Sequence, residues 1–356
     1  MGSGKEREST LDVVKGALLL SVMVCHSPLL EVASHRFNSI PHLYHVFGFL
    51  LLPFLRTARP LTLRKVGDVS VRYLTPYIAF TIIYGILYWL VMMGGEDFLS
   101  WAAKLAIALP MASYRLLDSA TGLEMLWFLP ALFSLSVLYS IYDRAGKAVR
   151  YTILAVAVPA HLFMGAAPSW FKESAPMGLD IALYILPAAL FTRALYVNGN
   201  FQRSKVKGVT ALFLATASLS VAIWSNSGVY LAALKVPSIM DPAAFILQDT
   251  LSISVLFALL YLASGKKWGL GALKYLGRYS LFIYLAHPLV DQLLLRAASA
   301  TCLNKNYFSA HPLLWGTLIL AVNCVLCVTS AAILRDTKLY KILFPRDLES
   351  LKRALS

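Results

Sequence analysis

Apolar residues along this chain come in runs of about twenty, the length a helix needs to cross the hydrocarbon of a bilayer. Ten such runs lie near residues 11–30, 40–56, 73–93, 123–141, 149–166, 179–197, 208–224, 243–263, 279–299 and 312–334. Lipid offers the backbone no hydrogen-bond partners, so each run predicts a helix. The stretch 98–112 (FLSWAAKLAIALPMA) is shorter and carries Lys104, which reads as a re-entrant or interfacial piece. The first run, LDVVKGALLLSVMVCHSPLL from Leu11 to Leu30, places Asp12, Lys15 and His26 in an otherwise apolar helix.

Composition agrees with the pattern. The 356 residues are 58% hydrophobic and only 14% charged, against roughly 25% charged in a soluble globular protein. The expected class is therefore an all-α, polytopic integral membrane protein. A net charge of +14 raises the question of nucleic acid, but the basic residues cluster in alternate loops, as cytoplasmic loops require. With the N-terminus inside, 25 of the 32 lysines and arginines fall on the inner side. About ten spans with both termini cytoplasmic follow, and no nucleic-acid partner. The chain then divides into a cytoplasmic segment 1–10, one transmembrane domain 11–334 and a basic tail 335–356. The first run lacks a small-residue cleavage site and reads as a retained helix. The four cysteines sit mostly inside apolar runs and indicate no disulfide framework.

Ionisable groups within spans cost roughly 2.5–3.5 kcal/mol each on insertion scales, which makes them functional candidates. His26 lies about fifteen residues, or ~22 Å, into the first helix and so past the midplane. The second run enters from the outer side as HLYHVFGF, bringing His42 and His45 to a comparable depth. In the ninth, YSLFIYLAHPLVDQLLL, His287 and Asp291 share a face at i,i+4 spacing. A histidine oriented by a carboxylate makes a good general base. The alternatives are an interfacial role for His42 and a structural polar contact for His287 with Asp291. Two histidines at i,i+3 with no further ligand are a weak metal signal, so no metal is expected. CVLC at 324–327 has redox spacing but reads as packed small residues. The loop RTARPLTLRKVGDVSVRYLTPY holds Arg56, Arg59, Arg64, Lys65 and Arg72. Positive-inside bias explains it, yet Lys15 and Arg72 lie close to or within apolar runs, where cations suit a phosphorylated ligand.

These residues resemble the membrane-bound acyltransferase-3 family. Lys15 and His26 form a Lys-x10-His arrangement similar to that family's [Arg/Lys]-x10-His motif. YHVFGFLLLPFL (44–55), VRYLTPYI (71–78), LWFLPALF (126–133) and LGRYSLFIYLAHPLV (276–290) are similar to its later segments, in the same order. The second-helix motif keeps His45 but reads LLP at 51–53 where the family has Ser-Gly, and Phe47 replaces its proline. Any bend there must be built around Pro53. The resemblance implies transfer of an acyl group, usually acetyl from acetyl-CoA, to a sugar hydroxyl of a polysaccharide or undecaprenyl-linked glycan. It resembles the stand-alone fucose 4-O-acetylase-like and exopolysaccharide acetyltransferases of the bacterial cytoplasmic membrane. The catalytic residues implied are His26 and His45, with His287 and Asp291 from the spacing argument. Lys15, Arg56, Arg59, Arg64, Lys65 and Arg72 are the candidates for CoA. Lys15 and His26 are ~16 Å apart along a helix, similar to the reach of a pantetheine arm. Two readings compete. One is a transporter or flippase of a lipid-linked glycan with histidine-coupled protons, although no clear inverted repeat is visible. The other is a sensor or scaffold that has lost its chemistry.

Overall fold

A computed structural model describes residues 2–34, 40–55, 62–92, 97–167, 175–198, 205–225, 239–265, 270–300 and 311–356. Sixteen α-helices and no strand occur among them. In chain order they are α1 (Gly2–Cys25), α2 (Pro28–Ala33), α3 (His45–Leu51), α4 (Leu63–Met92), α5 (Phe98–Met111), α6 (Tyr114–Thr121), α7 (Phe128–Arg144) and α8 (Lys147–Phe163). They continue with α9 (Leu179–Asn198), α10 (Lys205–Ser225), α11 (Pro242–Gly265), α12 (Gly271–Arg278), α13 (Ser280–Ala300), α14 (Pro312–Leu334), α15 (Lys338–Leu343) and α16 (Leu348–Leu355). Among the described residues, seven helices are long and apolar enough to span a bilayer, matching the third to sixth and eighth to tenth expected spans. Their outer faces are apolar: Ile78, Ile82 and Ile86 on α4, and Leu314, Leu318 and Val325 on α14, are all exposed. Such surfaces suit lipid and not water. The protein is an all-α polytopic membrane protein.

Two of the other three expected spans differ from a plain twenty-residue helix. The run 11–30 is not continuous: α1 ends at Cys25, His26 sits in a turn, and α2 begins at Pro28. The cause is local. A residue before proline avoids the α region, and Ser27 is extended at φ −84°, ψ 109°. Pro28 then occupies the first helical position, where its missing N–H costs nothing. The run 40–56 is a 3₁₀ turn (Pro41–Leu43), the short α3 and a second 3₁₀ turn (Leu52–Leu55) that contains Pro53. The run 208–224 lies wholly within α10, a helix of 21 residues from Lys205 to Ser225.

Two compact units emerge. The first comprises Met1–Leu55, Thr192–Leu231 and Pro242–Ile333. Within it α1 lies backbone to backbone on α12. A β-carbon on Gly16 would overlap the Leu273 carbonyl, and one on Gly277 would overlap the Asp12 carbonyl. Small residues are how membrane helices approach this closely. The crossing holds α1 at Asp12–Gly16, and Leu18 and Leu19 just beyond it are both fully buried.

The second unit comprises Arg56–Phe191, Ala232–Asp241 and Leu334–Ser356. Its long helix α4 begins ten residues before the expected third span, so the supposed loop from Leu63 onward is helical. Tyr77 on α4 donates to the Leu109 carbonyl at 2.9 Å, filling one of the orphan acceptors in the last turn of α5. Trp101 Nε1 does the same for Ala120 at the end of α6, at 3.0 Å. The basic tail folds as α15 and α16, and α16 docks on the start of α4. The Leu348 amide donates to Asp68 at 3.0 Å, and Arg72 donates twice to the Arg346 carbonyl, at 3.1 and 2.7 Å.

Candidate active site

Four histidines of the first unit converge. His26 stands at the end of α1, His42 in the 3₁₀ turn, His45 at the start of α3 and His287 in α13. Ring centroids are 6.1 Å apart for His287 and His26, 5.9 Å for His26 and His42, and 5.3 Å for His42 and His45. The rings thus form a row. His45 and His287 are buried, whereas His26 and His42 keep partial exposure. The break after Cys25 turns the chain at His26, so this ring projects from a helix end and not from mid-helix. It stands at the negative end of the α1 dipole, which favours a developing imidazolium.

The local sequence fixes two of the ring tautomers. Pro288 lacks the N–H that would normally bond the Tyr284 carbonyl one turn earlier. His287 Nδ1 lies 2.9 Å from that carbonyl oxygen and 3.1 Å from that of Ile283. Carbonyls only accept, so Nδ1 carries the proton and Nε2 the lone pair. That Nε2 is buried and has no hydrogen-bond partner among the described residues. His45 is held in the same way, with Nδ1 2.5 Å from the Pro41 carbonyl. Its neighbour Cys25 places Sγ 3.7 Å from the same nitrogen. Tyr44 and Ser21 tie the turn to α1 through hydroxyls 3.1 Å apart.

Asp291 is buried one turn beyond His287, but it does not orient that ring. Backbone carbonyls do so, and the Asp291 carboxylate instead faces the side chain of Asn323 on α14. Asn323 Nδ2 donates to the His287 carbonyl at 3.0 Å, and Cys327 Sγ donates to Asn323 Oδ1 at 3.1 Å. The expected i,i+4 pair is therefore a relay through Asn323. Asn323 and Cys25 escaped the sequence reading. A lone amide in the most apolar span, at mean hydropathy 2.3, was the available signal for Asn323. Cys25 gave none, because a buried cysteine behaves as a small hydrophobe.

The candidate CoA-binding cations fall on both units, Lys15 on the first and Arg64, Lys65 and Arg72 on the second. Lys15 pairs with Asp12 at 2.8 Å on its own helix, both half-buried. Arg64 lies 3.7 Å from Glu349 of α16, and Arg72 serves the Arg346 carbonyl. Lys65 lies in the first turn of α4, near its start, with its backbone amide on Thr62. Arg56 and Arg59 lie outside the described residues.

A polytopic helical membrane protein with a row of oriented imidazoles in an apolar interior is the class that fold and site define. Residues 8–332 match the acyltransferase domain of acyltransferase family 3, and the chain belongs to that family. It is a membrane acyltransferase. Neither a curated protein nor a solved structure matches the chain.

Proposed function

We propose that this acyltransferase moves an acyl group, acetyl in the simplest case, from acyl-CoA to a sugar hydroxyl of a cell-surface polysaccharide or its undecaprenyl-linked precursor in the bacterial cytoplasmic membrane. The observation that carries this reading is the placement of His26: it ends a continuous helix eleven residues above Lys15 and stands inside the histidine row. Along α1 that separation is ~16 Å, the span of a pantetheine arm. CoA enters at the cytoplasmic face, where the basic loops gather, with its phosphates drawn to Lys15 in competition with Asp12.

In the step we propose, His26 takes the proton of the acceptor hydroxyl as its oxygen attacks the thioester carbonyl. The carbon–sulfur bond breaks, CoA leaves as thiolate, and the imidazolium returns the proton to sulfur. The products are an ester and CoA thiol. His287, with Nδ1 fixed on carbonyls, offers the Nε2 lone pair toward the same chemistry. Burial keeps water from the thioester.

Purified protein incubated with labelled acetyl-CoA and lipid-linked glycan is expected to release CoA and label the glycan. His26→Ala should lower kcat by about 100-fold or more, the range for loss of a general base, with membrane insertion unchanged. Full turnover in that variant, or glycan translocation without CoA release, overturns the reading.

A further inference from the structure

Cys25, His42 and His45 lie together at the site, and the geometry points to a bound transition metal: we propose that these three side chains form a zinc-class site. One ligand atom from each residue, the thiol sulfur and a nitrogen of either ring, lies within 4.8 Å of the other two. Zinc holds sulfur at about 2.3 Å and imidazole nitrogen at about 2.0–2.1 Å in a tetrahedral shell. Ligand atoms in a shell of one sulfur and two nitrogens stand about 3.3–3.6 Å apart by those bond lengths, so the three close on an ion by rotamer shifts that draw in the widest pair.

The surroundings suit the same ion. Metal-bound histidines almost always donate their second ring nitrogen to a carbonyl or carboxylate, which fixes ring and tautomer. His45 has Nδ1 on the Pro41 carbonyl and 3.7 Å from Cys25 Sγ, so a turn of the ring that keeps one nitrogen on the carbonyl presents the other to the ion. Cys25 and His45 are buried and His42 is half-buried, so the thiol and one ring are shielded from water. A thiol with two imidazoles selects zinc-like or cuprous ions and rejects magnesium and calcium, which require oxygen. On binding, the Cys25 thiol gives up its proton and forms the sulfur–metal bond. Three protein ligands leave a fourth position open.

The sequence places Cys25 beside His26 and seventeen residues from His42, a spacing with no resemblance to a metal motif. The chain break at Ser27–Pro28 and the 3₁₀ turn at Pro41 bring them together. Thiol and imidazoles therefore converge through tertiary structure.

The test reads metal and not acyl transfer, so either reading can fail alone. Reduced, chelator-stripped protein in detergent is titrated with Co²⁺ and then with Zn²⁺. One cobalt per chain is expected, with a thiolate-to-cobalt charge-transfer band and tetrahedral visible bands that zinc abolishes. Cys25→Ser, a near-isosteric change, should remove the charge-transfer band and weaken binding about 10–100-fold or more, at least what a lost supporting contact costs. His42→Ala should weaken binding similarly. The double variant Cys324→Ser/Cys327→Ser should leave spectrum and stoichiometry intact, provided each variant elutes as the parent does on gel filtration. No saturable binding, or a charge-transfer band that survives in Cys25→Ser, overturns the proposal.

Discussion

Pro288 removes one N–H from α13, and the carbonyl it abandons becomes the anchor of a histidine. Pro288→Ala would restore the helical donor to Tyr284 and release His287 Nδ1 from it. Thermal stability should hold or rise, because proline in a helix interior costs about 3 kcal/mol where it is not accommodated. Acyl transfer should fall about ten-fold, in line with the smaller part of a general-base contribution. Opposite movement of the two readouts distinguishes an oriented catalytic ring from a structural one; an unchanged rate would argue against a role for the tautomer. Asn323→Ala belongs to the same scale. It unties the His287 carbonyl and Cys327 together, yet hydrogen bonds between membrane helices average only about 0.6 kcal/mol. A small loss of melting temperature is expected, with the rate reduced more in proportion.

At the scale of elements, the α1–α12 crossing is the strut beneath the site. Gly16→Ala and Gly277→Ala each push a β-carbon into facing backbone, which cannot rotate away. Overpacking of this kind costs about 1–3 kcal/mol, readable by thermal unfolding in detergent. Gly271→Ala, where nothing lies within 4 Å, should be neutral. Gly122 differs in kind: its φ of +63° and its contact with the Tyr88 ring both exclude a side chain. The tail helix α16 rests on a cap. Asp347 accepts from the Ser350 amide at 2.7 Å, and Ser350 answers with its hydroxyl on the Asp347 amide at 3.0 Å. The backbone hydrogen bond from Ser350 holds the Asp347 carboxyl below its ordinary 3.8, helped by the Ser350 hydroxyl and by Arg353 and Arg72. A folded-state value below the unfolded one stabilises the helix above pH 3.8 and is lost as pH falls through the folded value. Amide protection factors across 348–355, which divide out the intrinsic pH dependence of exchange, should therefore fall at low pH in the parent chain. In Asp347→Ala they should be low throughout and should not change over the same range.

The whole molecule carries the topological expectation. Basic residues crowd alternate loops, and an even number of crossings puts both termini in the cytoplasm. Cysteines introduced at Ser3 and Ser356 should react with a membrane-impermeant thiol reagent only after the cells are opened. Labelling of one terminus from outside would require an odd number of crossings and would reverse the direction from which CoA is proposed to enter.

Much of this protein is legible in its sequence because the bilayer applies one strong rule everywhere. Backbone in lipid must close its own hydrogen bonds, so an apolar run of twenty residues becomes a helix with little reference to its neighbours. Seven spans and the membrane class follow from that rule, and the family resemblance carried by Lys15, His26 and the later motifs is shown by the match over 8–332. The site did not follow. Hydropathy averages over eighteen residues and is blind to one proline, so LDVVKGALLLSVMVCHSPLL reads as a single helix. Ser27–Pro28 instead ends it and turns His26 out of the helix. Periodicity placed His287 and Asp291 on one face, but Pro288 gave the histidine a nearer acceptor and left the carboxylate to Asn323, which is distant in sequence. Local rules thus set which segments are helices. Which polar atoms meet depends on how those helices cross, and only the tertiary structure brings Cys25, His26, His42, His45 and His287 together.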